Sequence, residues 1–433
     1  MTFAPSPDVE RAVIAKVSWR LLPLIALGYG VAYMDRVNIS FAAATMNRDL
    51  KFSAAVYGLG AGLFFLSYAL FEVPSNLLLV RFGARRWIAR IMLTWGVLAV
   101  SMMFVKTPLQ FYVVRFLLGL AEAGFFPGVI YYLTHWFPEA HRGRAISRFY
   151  VAYPVSTIFM GAVAGALLGL QGRLGLSGWQ WLFLAEGSPA IILSIAILCL
   201  RPDAPATSTG LTDDAKRWLA RRLGDETAAL GEPVASIFAA MLKPPVLAFA
   251  AANFLILGTN YAFSLSAPQL LGAATHLSAG RVGYIVAAGG FIGALTMLLN
   301  GWLSDRAGEH YFHLAAPLLL IALAFAAMSQ TMSPLIVVGA YFLVIAGSTA
   351  QSPVFWLAPG SFLHPRDAAV GVAAINMIGQ LGSFMLPWLW GIAKDRTGDY
   401  HAGLTALPLA YLFAAAIVLA IRPRVAPKPF PAE

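Results

Sequence analysis

The sequence predicts an all-α membrane protein: twelve transmembrane helices in two pseudo-symmetric bundles of six. Three observations carry this. The chain of 433 residues is 59% hydrophobic and only 12% charged, with a mean hydropathy of +0.72, whereas a soluble domain carries about 25% charged residues. Its apolar residues fall into twelve runs, most near the ~20 residues that a bilayer core requires, and a polar segment at 201–245 divides them six and six. The halves also repeat: NLLLVRFG at 76–83 and GWLSDRAG at 301–308 each close the second run of their half, so that Arg81 aligns with Arg306 and Gly83 with Gly308. Parallel six-span halves of this kind place a binding site between them at mid-membrane depth. The expected organisation is an N-terminal segment 1–20, a first bundle 21–200, a linker 201–245, a second bundle 246–422 and a tail 423–433.

Residues 1–20 start polar and turn amphipathic, with Arg11, Lys16 and Arg20. The run that follows, 21–45, is too long for a signal-peptide core and lacks a small-residue cleavage pattern, so the N-terminus is expected uncleaved. This first span holds Tyr33, Asp35, Arg36, Asn38 and Ser40. Adjacent residues point about 100° apart on a helix, so Asp35 and Arg36 cannot form one inward pair. Either each finds its own partner or the cluster sits at a helix end in water. The second span, 54–79, carries Tyr68 at its middle. Glu72, followed by Pro74, Ser75 and Asn76, is read as a contact near the helix end. A basic turn, RFGARRW at 81–87, leads to the third span, 87–105.

The fourth span, 109–133, contains RFLLGLAEAGFFP, Arg115 to Pro127. Arg115 and Glu122 are seven residues apart, hence within roughly 20° of one helix face and roughly 10 Å apart along it. A charge at mid-membrane costs on the order of 3 kcal/mol and normally marks an ion or substrate path. The alternative is a structural ion pair that knits helices together. Arg115 and Glu122 are the buried groups of opposite sign available to Asp35 and Arg36. A basic loop, 135–148, precedes spans five (145–170) and six (179–200), which are nearly uncharged. The exception, Glu186, is read as lying near one end.

The linker 201–245 is rich in Pro, Ser, Thr and charge and includes an amphipathic stretch, DDAKRWLARRL. The second half then offers runs at 246–272, 281–304, 312–331, 334–360, 367–393 and 402–421. Its polar intramembrane groups are uncharged: Asn253, Asn260, Gln351, Ser352, Asn376 and Gln380. Such amides serve substrate contact or interhelical hydrogen bonding. Trp356, between Pro353 and Pro359, reads either as an aromatic wall at a broken helix or as ordinary packing. Of the 30 Lys and Arg, 21 fall on the side of the N-terminus and seven opposite, with Arg36 and Arg115 inside spans. Both termini are therefore expected in the cytoplasm. This asymmetry accounts for the net charge of +10 without nucleic acid.

The chemistry follows from the charges. An anion entering a low-dielectric cavity needs a cation that keeps its proton, and the planar guanidinium matches a carboxylate in two bonds. A buried carboxylate can bind and release a proton as nearby charges move. A substrate that draws an arginine off Glu122 would therefore favour proton uptake there. The seven histidines all fall in loops or at span ends, which argues against a histidine relay or a buried metal site. Cys199 stands alone and excludes an internal disulfide.

On these residues the whole chain resembles the major facilitator superfamily, whose GxxxDRxG signature is met by Gly301, Asp305, Arg306 and Gly308. In the first half Asn76 and Val80 replace the glycine and the acid. Within the superfamily, YMDRVNIS, FEVPSNLLL, GARRWIARIM, RFLLGLAEAGFFPGVIYYLTHWFPEAHRGRA and GWQWLFLAEGSPA resemble the anion:cation symporter family. That resemblance implies proton-coupled uptake of organic acids across the bacterial inner membrane by a monomer, with no cofactor beyond protons. It implies Arg36 and Arg115 near the substrate carboxylate and Asp35 and Glu122 as protonation sites. Tyr33, Tyr68, Trp356 and Asn376 correspond to its other cavity positions. Asp305 is expected to act as a gate, paired with Arg306 or a helix N-terminus when closed. A drug/proton antiporter of the same fold would want cavity acids without arginines. A sensor would need an output domain larger than the linker and tail, and a membrane enzyme a nucleophile–base pair or ligand cluster.

Overall fold

The computed structural model describes residues 7–200, 205–208, 210–229, 241–361 and 365–422. The expected tail 423–433 lies outside these residues, as do 1–6 of the N-terminal segment and much of 201–245. The described chain is helical throughout, and twelve of its helical segments are long and apolar enough to cross a membrane.

The first half comprises α1 (Pro7–Leu50), α2 (Ala54–Phe82), α3 (Ala84–Ser101), α4 (Pro108–Glu122), α5 (Phe125–Thr134), α6 (Glu139–Tyr150), α7 (Ala152–Leu168) and α8 (Gly178–Leu200). A surface helix, α9 (Asp213–Ala229), lies in the connection. The second half comprises α10 (Pro244–Ser264), α11 (Ala267–Thr275), α12 (Ala279–Ala307), α13 (Tyr311–Gln330), α14 (Pro334–Leu357), α15 (Pro365–Thr397) and α16 (His401–Ile421).

Three spans are broken where the sequence reads as one run, the fifth of them between α6 and α7 at Val151. The fourth splits between α4 and α5 at Gly124, whose φ of 84° is left-handed. A Cβ there would also meet Ser75 Oγ of α2 inside 3.0 Å, so both conformation and space call for glycine. The seventh splits between α10 and α11 at Leu265 and Ser266. The prolines behave the other way. Pro74 and Pro353 sit inside continuous helices, α2 and α14. Proline is tolerated within membrane helices because neighbouring groups take up the freed backbone atoms. Glu72 is therefore well short of the end of α2, and Trp356 is not at a break after Pro353.

Connections 51–53, 102–107, 169–177, 276–278, 331–333 and 398–400 gather at one end of the molecule, here the distal end. The start of α1, the end of α8 and the start of α10 mark the proximal end. Within the halves, α3 packs on α8, α2 on α4, α10 on α15 and α13 on α16. Two seams join the halves, α2 against α15 and α7 against α12. Both close at their distal ends by backbone-to-backbone contact. A Cβ on Gly58 or Gly62 would fall inside 3.0 Å of the Pro387 or Phe384 carbonyl. The same holds for Gly161 and Gly283 against each other. Small residues let membrane helices approach this closely.

Candidate substrate site

The two acids and two arginines of α1 and α4 come together in the first bundle. Glu122 is fully buried and ends α4; Arg36 of α1 donates to it from Nε at 2.7 Å. The Arg36 terminal nitrogen makes a second contact with the same oxygen, and its side chain keeps 15% exposure. The 100° offset between Asp35 and Arg36 is thereby used. Arg36 reaches Glu122, while Asp35, 1% exposed, turns to the other side within electrostatic reach of Arg115. Asn38, one turn on, donates to Asp35 Oδ1 at 3.3 Å.

Arg115 is 1% exposed and donates to the Ala61 carbonyl at 3.4 Å, leaving its Nε without a partner. The Phe64 ring separates the two guanidiniums, 4.9 Å from Arg115 and 5.7 Å from Arg36. Arg36 also lies over the Tyr68 ring at 4.9 Å. An aromatic face attracts a cation at such distances, so Phe64 and Tyr68 hold the arginines in place of full carboxylate pairing. Tyr68 is thereby brought against Arg36 and is not among the residues that line the cavity between the halves. Tyr33 joins an aromatic wall, edge-on to Tyr153 at 4.2 Å.

A cavity of 80 Å³ opens between the halves, lined by Tyr33 and Tyr153 from the first half and Asn260, Tyr261 and Tyr341 from the second. Tyr261 packs on Phe65 at 4.2 Å and faces Arg36. It bridges cavity and arginine. A lone tyrosine in an apolar run carries no spacing signal, so its neighbour Asn260 is legible in the sequence and Tyr261 is not.

Asn376 is in the interior, but it donates to Glu72 at 3.1 Å across the α2–α15 seam. Glu72 is thus an inter-half contact and not a helix-end one. Trp356 stands in the last turn of α14, edge-on to Phe355 at 5.1 Å and 37% exposed. Arg36 is fourteen residues, roughly 21 Å, from the distal end of α1. Trp356 is 22 residues, roughly 33 Å, from the distal end of α14. It therefore lies at the proximal mouth and apart from the arginines. Glu186, 3% exposed, is also no end group: it sits against α1 with Asn38 and Asp35 before it.

The expected gate is disengaged. Gly308 caps α12 in the left-handed region at φ 60°, and Arg306 lies over Trp302 at 5.3 Å. Gly301 has open space around it. The Asp305 side chain is exposed and, among the described residues, makes no hydrogen bond or ion pair, while its carbonyl accepts from the Gly308 amide. The closed contact is at the distal end. There Asp395 of α15 accepts from the Ala54 and Ala55 amides, the first turn of α2, at 2.9 and 2.8 Å. A carboxylate at a helix N-terminus is stabilised by two orphan donors and the helix dipole. Beside it Lys394 donates to the Tyr400 hydroxyl at 2.6 Å, which donates to Gln269 of α11 at 3.0 Å; burial pushes the Tyr400 phenol above its ordinary pKa. These groups line the larger cavity, 260 Å³, which is a distal vestibule away from the arginines. The signal was present: Gly391, Asp395, Arg396 and Gly398 spell GxxxDRxG again.

The profile of the Major Facilitator Superfamily matches residues 25–387. The chain is 42% identical to a protein of Agrobacterium vitis named "Putative tartrate transporter", over 97% of this chain and 93% of that one. It is 38% identical to the quinolone resistance transporter of Acinetobacter baumannii, over 94% of each. Its fold is similar to that of a bacterial homolog of the human lysosomal transporter Spinster, with a TM-score of 0.75 and 16% identity over 96% and 97% of the two chains. The chain belongs to the major facilitator superfamily: it is a multi-pass membrane transporter and not an enzyme.

Proposed function

We propose that the chain imports a small organic anion together with a proton, by alternating exposure of a site between its halves. The observation that carries this reading is the Arg36–Glu122 pair beside the inter-half cavity. Arg36 is held by one carboxylate and two aromatic faces, and a substrate carboxylate competes for it. Winning that competition leaves Glu122 buried without its cation, a costly state that proton uptake relieves. Arg115 supplies a second positive charge at similar depth. Asp35 and Glu122 are the proton-carrying groups, and Tyr33, Tyr68 and Tyr261 shape the wall. Trp356 and Asn376 act at the mouth and seam. Asp305, Arg306, Gly301 and Gly308 gate the proximal end. The Lys and Arg asymmetry supports cytoplasmic termini in a bacterial inner membrane, and the 42% identical relative supports a tartrate-like acid.

The test is uptake of L-tartrate and a panel of other carboxylates into liposomes holding the purified protein, with an internal pH dye. Uptake driven by an acidic exterior, with protons entering alongside, is expected for one acid of the panel. Uptake indifferent to the pH gradient would sink the symport reading. One relative favours a second reading, drug export. A quinolone itself carries a carboxylate, so the same arginines would serve. Proton entry coupled to drug exit, with no carboxylate uptake, would select it.

A further inference from the structure

Behind the arginine pair lies a second group of buried polar side chains that the coupling scheme does not use. Glu186 on α8 is 3% exposed, and neither carboxylate oxygen has a hydrogen-bond partner. Asp35 Oδ2, Asn38 Oδ1 and the Trp95 indole nitrogen are equally buried and equally without one. Close packing brings them together: Gly96 and Gly187, the next residues after Trp95 and Glu186, have backbones in contact across the α3–α8 interface. From α1, the Asn38 amide and the Asp35 carboxylate face Glu186. Among the described residues no cation pairs with it.

A carboxylate in this position cannot stand ionised beside a second ionised carboxylate without a compensating cation. We propose that Glu186 is a proton-binding site coupled to Asp35, the two acids holding at least one proton between them and exchanging it during the transport cycle. In the exchange the O–H bond of Glu186 breaks, one forms on Asp35, and the negative charge moves from Asp35 to Glu186. Asn38, bonded to Asp35 Oδ1, orients the pair. This rests on the proton-coupled reading above and adds a third acid to it, outside the substrate cavity.

Infrared titration of the reconstituted protein tests the site without any substrate. A protonated buried carboxylic acid gives its own carbonyl band. Glu186→Gln, which keeps shape and hydrogen-bonding capacity, is expected to remove one such band. Asp35→Asn removes the neighbouring negative charge and is expected to move the loss of that band to lower pH by about one unit, as for acids that titrate as a pair. In liposomes Glu186→Gln is expected to lower the protons carried per L-tartrate, or per whichever carboxylate the panel identifies. A band that survives in Glu186→Gln overturns the site, and one indifferent to Asp35→Asn overturns the coupling. A wild type that moves no protons with substrate overturns the symport reading instead, whatever the infrared result.

Discussion

At the scale of single residues, the site depends on which arginine holds which acid. Removing one partner of a buried pair leaves an uncompensated charge, worth about 3–5 kcal/mol. Arg36→Ala is therefore expected to destabilise the purified protein by about that much in a thermal melt. Adding Glu122→Gln to Arg36→Ala should restore most of the stability and none of the carboxylate binding. Restored binding would show that Arg36 is structural. The Arg36–Glu122 pair was legible in the sequence. Asp35 and Arg36 point apart on a helix, and the fourth span carries both an arginine and a glutamate inside an apolar run. Glu186 and Glu72 were misread for a physical reason. Sequence position reports depth along a helix but not what covers a residue there. Pro74 reads as a terminator only if water, and not protein, surrounds the helix.

At the scale of elements, the seams and caps decide which end is open. Asp395 makes two charge-assisted hydrogen bonds to the first turn of α2; bonds of this kind contribute about 1.5–3 kcal/mol each. Asp395→Ala is expected to shift the balance at least about tenfold toward a distal-open form. Spin labels at the distal ends of α2 and α11 would report it as a longer distance population, and an unchanged distribution would remove Asp395 from the lock. Gly283→Leu places a side chain against the Gly161 carbonyl. The distal seam should then fail to close, abolishing net transport while carboxylate binding persists. Normal transport by this variant would mean the seam is not part of the cycle. The signature at 301–308 is legible because the repeat points to it. The copy at 391–398 lies at the distal end of α15, where the repeat predicts nothing. The breaks at Gly124 and Ser266 were hidden for another reason, since apolarity continues through them.

At the scale of the whole molecule, twelve spans and two halves were readable from composition and run length alone, because lipid leaves the chain few other options. The orientation makes a prediction of its own. With Cys199→Ser as background, Gly172→Cys in the α7–α8 connection is expected to react with an impermeant thiol reagent in intact cells. Gly224→Cys in α9 should react only after permeabilisation. The reverse pattern would invert the assigned topology. The relative arrangement of the halves was not readable. It rests on seams of glycine and on Asn376 meeting Glu72, pairs more than 100 positions apart with no local signature.

The distal lock has a consequence for how the sequence can drift. Asp395 supplies its half of the contact with a side chain, whereas α2 supplies its half with main-chain amides at 54 and 55. Any residue with an amide hydrogen can stand at those two positions and keep the bonds. Among homologous chains the acid should thus be nearly invariant and the positions opposite it free to vary, with proline excluded. Covariation between the two partners should be missing, although they touch.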